Sequence, residues 1–244
     1  STKDKKNKLT VKKGANQFVW NMTYDGAEKL EGMILWWASL DGPRAIPGIY
    51  KVSLTIKNAV TLSTSTSLST GSVEMSQPFT ILADPRAEST LADMEKQFAF
   101  IKDVNKIMDN AHKSIKNIRK VNKQLSAFQK QYADDDDIKE LVEKAKALEE
   151  QLSNIEKELY QTKNRSGQDP LNFPIRLTNK LGHLNALVRM GDFAPTAQDI
   201  AVKNELTAKI ETQLKVFNTI LNDEVRAFNA AFNSKQLNYL FVED

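Results

Sequence analysis

The sequence contains no cysteine, which excludes disulfides, thiolate metal ligands and a thiol nucleophile. Histidine is scarce as well: His112 and His183 are the only two, and they lie far apart without the spacing of a metal motif. There is no nucleophile elbow, phosphate-binding glycine loop or paired-carboxylate motif. We therefore predict no catalytic residue, no metal ligand and no cofactor.

Long apolar runs and excess charge are also missing. No run of about 18 apolar residues occurs, so no membrane span is predicted. The net charge of +3 over 244 residues gives no reason to expect nucleic acid as a partner. The polar residues that follow Ser1 do not form a signal peptide. The chain could be cytosolic, a mature secreted protein or a piece of a longer one, and the strand-like start soon after Lys8 favours a piece.

Residues 1–86 have the pattern of a small β domain. The clearest strand covers 50–56, where Tyr50, Val52, Leu54 and Ile56 alternate with polar residues. Glycine and proline punctuate the rest, and we predict further strands at 8–11, 17–22, 33–38 and 77–82. Short strands at this spacing predict an immunoglobulin- or fibronectin-like β-sandwich.

Residues 87–244 have a helical pattern. Asp84 precedes a proline and is therefore a natural end for the β domain. Apolar residues then recur every three or four positions over 91–132, 138–159, 177–188 and 206–232. Such amphipathic helices must bury their stripes, so we predict an antiparallel three- to four-helix bundle. The pattern leaves open whether the short third helix is separate or continues the second.

Two features of the sequence are candidate binding sites. Trp36 and Trp37 are adjacent, and on a strand their side chains point to opposite faces, so one is expected in the core and one at the surface. An exposed indole there could stack against a sugar ring. The four aspartates 134–137 lack the spacing of a calcium loop, and we interpret Asp136 or Asp137 as a helix cap.

Several separated segments resemble one protein family, in the same order along the chain. They are NQFVWN at 16–21, GMILW at 32–36, GPRA at 42–45, PGIYKV at 47–52, DPR at 84–86, QDPLNFPIRL at 168–177 and APT at 194–196. The pattern is similar to the C-terminal region of secreted bacterial proteins, notably of Bacteroidetes, that carry a sortilin-like, BNR-repeat β-propeller and are often labelled glycosyl hydrolases. The likeness runs from about Gly14 to Asn229. Asn21 and Thr23 depart from it, because the family usually has an acidic residue and an arginine there.

The resemblance implies a secreted, periplasmic or cell-surface location and an N-terminal β-propeller of the same parent chain as partner. Any hydrolytic site would lie in that propeller, which these residues do not contain. The expected function is a non-catalytic accessory region that caps, orients or tethers the propeller, or that forms a surface for a protein partner or a homodimer. One alternative is a carbohydrate-binding or glycosidase-associated module that uses Trp36 or Trp37. The other is a helical adaptor or chaperone-like binder with an exposed apolar stripe.

Overall fold

The computed structural model describes residues 10–64 and 67–237. Two strands come first, β1 (Gly48–Thr64) and β2 (Ser67–Ile81), and the rest of the regular structure is helical. The helices are α1 (Leu91–Gln131), α2 (Lys139–Leu159), α3 (Leu177–Val188), α4 (Ala197–Thr219) and α5 (Val225–Ser234). A π-helical turn, Ile220–Glu224, joins α4 to α5, so these two form one rod. Short 3-10 turns, Asp136–Ile138 and Asp169–Leu171, precede α2 and α3.

The predicted immunoglobulin- or fibronectin-like β-sandwich followed by a helical bundle is wrong. Helix accounts for 55% of the structure, and the described residues contain one sheet of only two antiparallel strands. The expected strands at 50–56 and 77–82 fall in this hairpin, whereas 17–22 and 33–38 are irregular. Of the expected strand 8–11, positions 8 and 9 lie outside the described residues, and Thr10 and Val11 are not in a strand.

The longest helix, α1, begins at a well-defined cap. The Thr90 side chain accepts a hydrogen bond from the Asp93 amide, and the Asp93 carboxylate accepts one from the Thr90 amide. From there the helix runs for 41 residues, roughly 60 Å at 1.5 Å per residue. A helix of this length needs an extended surface of other elements to cover its apolar stripe.

One core covers that stripe within the chain. The α1 side chains of Val104, Met108, Ile115 and Ile118 are fully buried. They share a cluster with residues of every other helix, including Leu152, Leu181, Ile210 and Phe228. The α3 helix is separate from α2 and packs against α1, which answers the question that the sequence left open.

The segment 22–45, here called the clasp, connects the helices to the hairpin. It has almost no regular structure, yet Leu30 and Met33 at its tip belong to the same core cluster as the helices. The clasp leads directly into β1, whereas β2 returns to α1 through residues 82–90. Among the described residues no Cα of either strand lies within 8 Å of a helix, so the hairpin stands away from the helical part.

Candidate functional site

The two arms of the clasp lie close together. The Tyr24 amide donates to the Pro43 carbonyl at 2.9 Å, and the Ala27 amide donates to the Leu40 carbonyl at 2.7 Å. Two glycines make this approach fit: a Cβ at Gly26 would lie 2.0 Å from the Leu40 carbonyl oxygen, and one at Gly42 would lie 2.2 Å from that of Tyr24. These distances are far below van der Waals contact, so only glycine fits at either position.

Three polar side chains of α1 bind the clasp at Glu28. The Glu28 amide donates to Asp109 Oδ1 at 2.6 Å, and its carbonyl lies 2.6 Å from His112 Nδ1. The Lys116 ammonium donates to the Glu28 carboxylate and lowers the pKa of that carboxyl. At Glu28 the clasp backbone takes its partners from side chains and not from another strand.

Among the α1 side chains that bind Glu28, His112 is unusual because it is a titratable group in the core. Its side chain is fully buried, and burial lowers its pKa, with nearby Asp109 and Glu28 opposing and Lys116 reinforcing that effect. Nδ1–H of the neutral ring donates to the Glu28 carbonyl, whereas Nε2 has no hydrogen-bond partner among the described residues. A second proton would therefore sit at a buried, unpartnered nitrogen.

Residues of α3 and of the loop after α2 bind the rest of the clasp tip. Asn179 brackets Trp36, accepting from its amide at 2.7 Å and donating to its carbonyl at 2.8 Å. The Ile34 amide donates to the hydroxyl of Tyr160 at 3.0 Å. The Ser39 amide donates to the Gly182 carbonyl at 2.9 Å, and a Cβ at Gly182 would lie 3.0 Å from the Ala38 Cβ. The backbone of the tip is thus bonded directly to the helices, in addition to the burial of Leu30 and Met33 in the core.

The end of the tip is held by a buried amide network. Asn185 Nδ2 donates to the carbonyls of Ser39 and Asp41 at 3.0 and 3.1 Å, and Asn105 Nδ2 also donates to Asp41 at 3.0 Å. Arg189 pairs with the Asp41 carboxylate at 2.7 Å and lowers the pKa of that carboxyl. Because Asn185 is fully buried, these bonds are not replaced by water if the side chain is lost.

The tryptophan pair lies on this tip, and not on a strand as expected. Trp37 is 75% exposed and has a left-handed backbone, φ +48°, whereas Trp36 is partly buried. A bulky residue rarely adopts that conformation, so the contacts of its neighbours must hold it. The clamp on Trp36 by Asn179 and the bond from Ser39 to Gly182 flank Trp37 and provide that restraint.

Trp20, just before the clasp, makes aromatic contacts with the base of the hairpin. The Trp20 indole packs against the rings of Tyr50 and Phe79, with centroids 6.0 and 6.3 Å away, and its Nε1–H donates to the Thr23 carbonyl at 3.1 Å. The Tyr50 hydroxyl donates to the Ile46 carbonyl at 2.8 Å. The base of the hairpin is therefore held by the ring of Trp20 and by the carbonyl of Ile46.

The other candidate features form no site. Within residues 10–64 and 67–237, no group of three or more histidine or acidic side chains could hold a metal ion. In the aspartate run, Asp135 is the residue that caps, accepting from the Asp137 amide of the 3-10 turn; the expected caps were Asp136 or Asp137. No helix in the described part of the chain is long and apolar enough to cross a membrane.

Comparisons with known proteins identified no relative of this chain. No family model matches the chain, and no curated protein sequence and no solved structure is significantly similar to it.

The polar residues that hold the clasp were not predicted, although two of them stand out in the sequence. Asn105 and His112 lie seven residues apart on the apolar stripe of α1, among Val104, Met108 and Ile115. A polar side chain at a buried stripe position needs a hydrogen-bond partner from another element. The pattern therefore points to a polar backbone crossing α1 at those two positions.

The free energy of unfolding should fall below pH 6.5 because of His112. Its folded-state pKa is lowered, so the unfolded chain binds more protons as the pH falls, and stability that is complete above the unfolded pKa is progressively lost below it. One such group gives a slope of at most about 1.4 kcal/mol per pH unit. Urea unfolding at several values from pH 7.5 to 5 measures it.

The control for this pH prediction is His112→Gln, which should flatten the slope. A wild-type slope that survives in His112→Gln would show that other groups cause it.

Proposed function

We propose that the chain is a non-catalytic accessory region of a secreted or cell-surface protein, in which the helices and clasp hold the hairpin in a fixed direction. The partner in this proposal is the sortilin-like β-propeller that the sequence resemblance implies, and the role is to orient or tether it. The hydrogen-bond network of the clasp is the observation that carries the proposal. A segment of about 20 residues without regular structure has its backbone held by side chains from two helices, α1 and α3, and from the loop after α2.

This hydrogen-bond network favours a clasp that supports the hairpin rigidly over one that acts as a hinge. Hinges absorb changes of φ and ψ, and they need backbone that is free of specific bonds. In the clasp, the backbone of five residues is hydrogen-bonded directly to other elements: Glu28, Ile34, Trp36, Ser39 and Asp41. The buried Leu30 and Met33 add apolar anchors. The clasp therefore opposes rotation of the hairpin relative to the helices.

Native-state hydrogen exchange of the whole chain tests the proposal. We expect the amides of Ala27, Trp36 and Ser39 to exchange through the same opening reaction, with the same free energy, as the amides of Val104 and Met108 in α1. A clasp that exchanges at a much lower free energy than α1 would act as a hinge, and the proposed support would be wrong.

A second candidate function is glycan binding, and the exposed Trp37 favours it. Its indole is three-quarters exposed and held by a restrained backbone, as an aromatic platform requires. Titration of tryptophan fluorescence with oligosaccharides distinguishes the two functions. Saturable quenching that is lost in Trp37→Ala would replace the accessory role by a carbohydrate-binding one.

The helical adaptor hypothesis has no comparable support. It requires an exposed apolar stripe, and the α1 stripe at Ile101, Val104, Met108, Ile115 and Ile118 is buried by the chain itself.

A further inference from the structure

The two faces of the hairpin differ sharply in chemistry. Residues paired across the strands share a face, and the register pairs Tyr50 with Phe79, Leu54 with Met75 and Ile56 with Val73. Together with Val52, these side chains form one apolar face, here called the hairpin face. The opposite face is mostly polar and carries Lys51, Ser53, Thr55, Glu74, Ser76 and Thr80.

Most of the hairpin face is open to solvent. Val52 and Met75 are more than half exposed, and Leu54 and Ile56 are more than two-fifths exposed. Trp20 covers only the base, and no helix contacts either strand among the described residues. A two-stranded sheet with a contiguous uncovered apolar face is marginal in water unless something packs on it.

The face carries no charge and only one polar side chain, Gln77, which pairs with Val52 between two apolar pairs. A charged surface would repel its own copy, whereas an uncharged one does not. Gln77 favours the same occupant: near a two-fold axis, its amide can donate to and accept from the Gln77 amide of the other copy. An unrelated apolar partner would leave that amide buried without a hydrogen bond.

We infer that the hairpin face is a self-association surface, on which the hairpin of a second copy packs face to face about a two-fold axis. Two β-sheets pack this way at a separation of about 10 Å, with their apolar side chains interdigitated. The inference is independent of the clasp, because a hairpin can associate whether or not it is held rigidly.

The hairpin face is small for an interface. From Tyr50 to Ile56 there are six residue steps, about 20 Å at 3.3 Å per residue. Two strands of that length offer a few hundred Å² per copy, less than the roughly 800 Å² per partner of a standard interface. The dimer should therefore be weak and reversible.

Sedimentation equilibrium of the whole chain, from about 5 to about 500 µM, tests the inference. The wild type should pass from monomer to dimer with rising concentration. Leu54→Lys places a charge on the hairpin face and should stay monomeric at every concentration. Ser53→Lys places the same charge on the opposite face and should dimerise as the wild type does.

Three results would overturn the inference: a wild type that is monomeric throughout, a Leu54→Lys variant that still dimerises, or a Ser53→Lys variant that does not. Circular dichroism of both variants should match the wild type, because both positions are exposed in the monomer. Failure here leaves the hydrogen-exchange test of the clasp unaffected, so the two proposals can fail separately.

Discussion

Gly42→Ala should open the clasp and destabilise the protein by more than about 3 kcal/mol. The new Cβ would lie 2.2 Å from the Tyr24 carbonyl oxygen and 2.5 Å from that of Asp25. Both contacts are to backbone, so no side chain can rotate to relieve them, and the two arms must separate. Separation breaks the bond from Tyr24 to Pro43. Urea unfolding measures the loss of free energy.

Gly167→Ala is the matched control. A Cβ at Gly167 meets nothing within 4 Å, so this variant should unfold as the wild type does. Gly26→Ala should behave like Gly42→Ala, because its Cβ would lie 2.0 Å from the Leu40 carbonyl oxygen. If Gly42→Ala and Gly167→Ala unfold at the same urea concentration, the close approach of the two arms is wrong.

Asn185→Leu should cost about 2–4 kcal/mol, the second large effect. Leucine is similar in volume, so the change removes hydrogen bonds without leaving a large cavity. The Ser39 carbonyl loses the bond from Asn185, and the Asp41 carbonyl keeps only the bond from Asn105. Burial prevents water from replacing what is lost. Thermal or urea unfolding measures the cost.

Two comparisons isolate the cause of that loss. Asn117→Leu, at an exposed position of α1, makes the same chemical change and should alter stability by less than about 0.5 kcal/mol. Asn105 donates to the same carbonyl as Asn185, so the double variant should cost less than the sum of the singles. An Asn185→Leu variant as stable as Asn117→Leu would show that the amide network does not stabilise the clasp.

The helices could be predicted from the sequence because a stripe of apolar residues has one simple solution. The periodic stripe that begins at Leu91 gives α1, and the pairs Thr90–Asp93 and Thr196–Asp199 form the capping boxes that start α1 and α4. The first strand was also visible, because Tyr50, Val52, Leu54 and Ile56 alternate with polar residues. Alternation shows that a strand has one apolar face, but it does not say how many strands surround it.

The β-sandwich failed as a prediction for that reason. Segments 17–22 and 33–38 are rich in aromatic and aliphatic residues, which favour strands. The backbone amides of Ile34 and Trp36, however, donate hydrogen bonds to the side chains of Tyr160 and Asn179. Both partners lie more than 120 positions further along the sequence. Local patterns cannot show partners at that distance. The same bonds place Trp37 at the surface. The sequence predicted that one of the two tryptophans would be exposed, but it did not show which one.

If the clasp holds the hairpin and the helices as one body, the distance between two spin labels, one on each part, should be fixed. Because the chain has no cysteine, Ser53→Cys on the polar face of the hairpin and Lys120→Cys on α1 would be the only labelling sites. Dilution with unlabelled protein removes distances between copies. We expect one narrow distance distribution, which Gly42→Ala should broaden. A distribution in the otherwise unchanged protein that is as broad as in Gly42→Ala would show that the clasp does not hold the hairpin and the helices together.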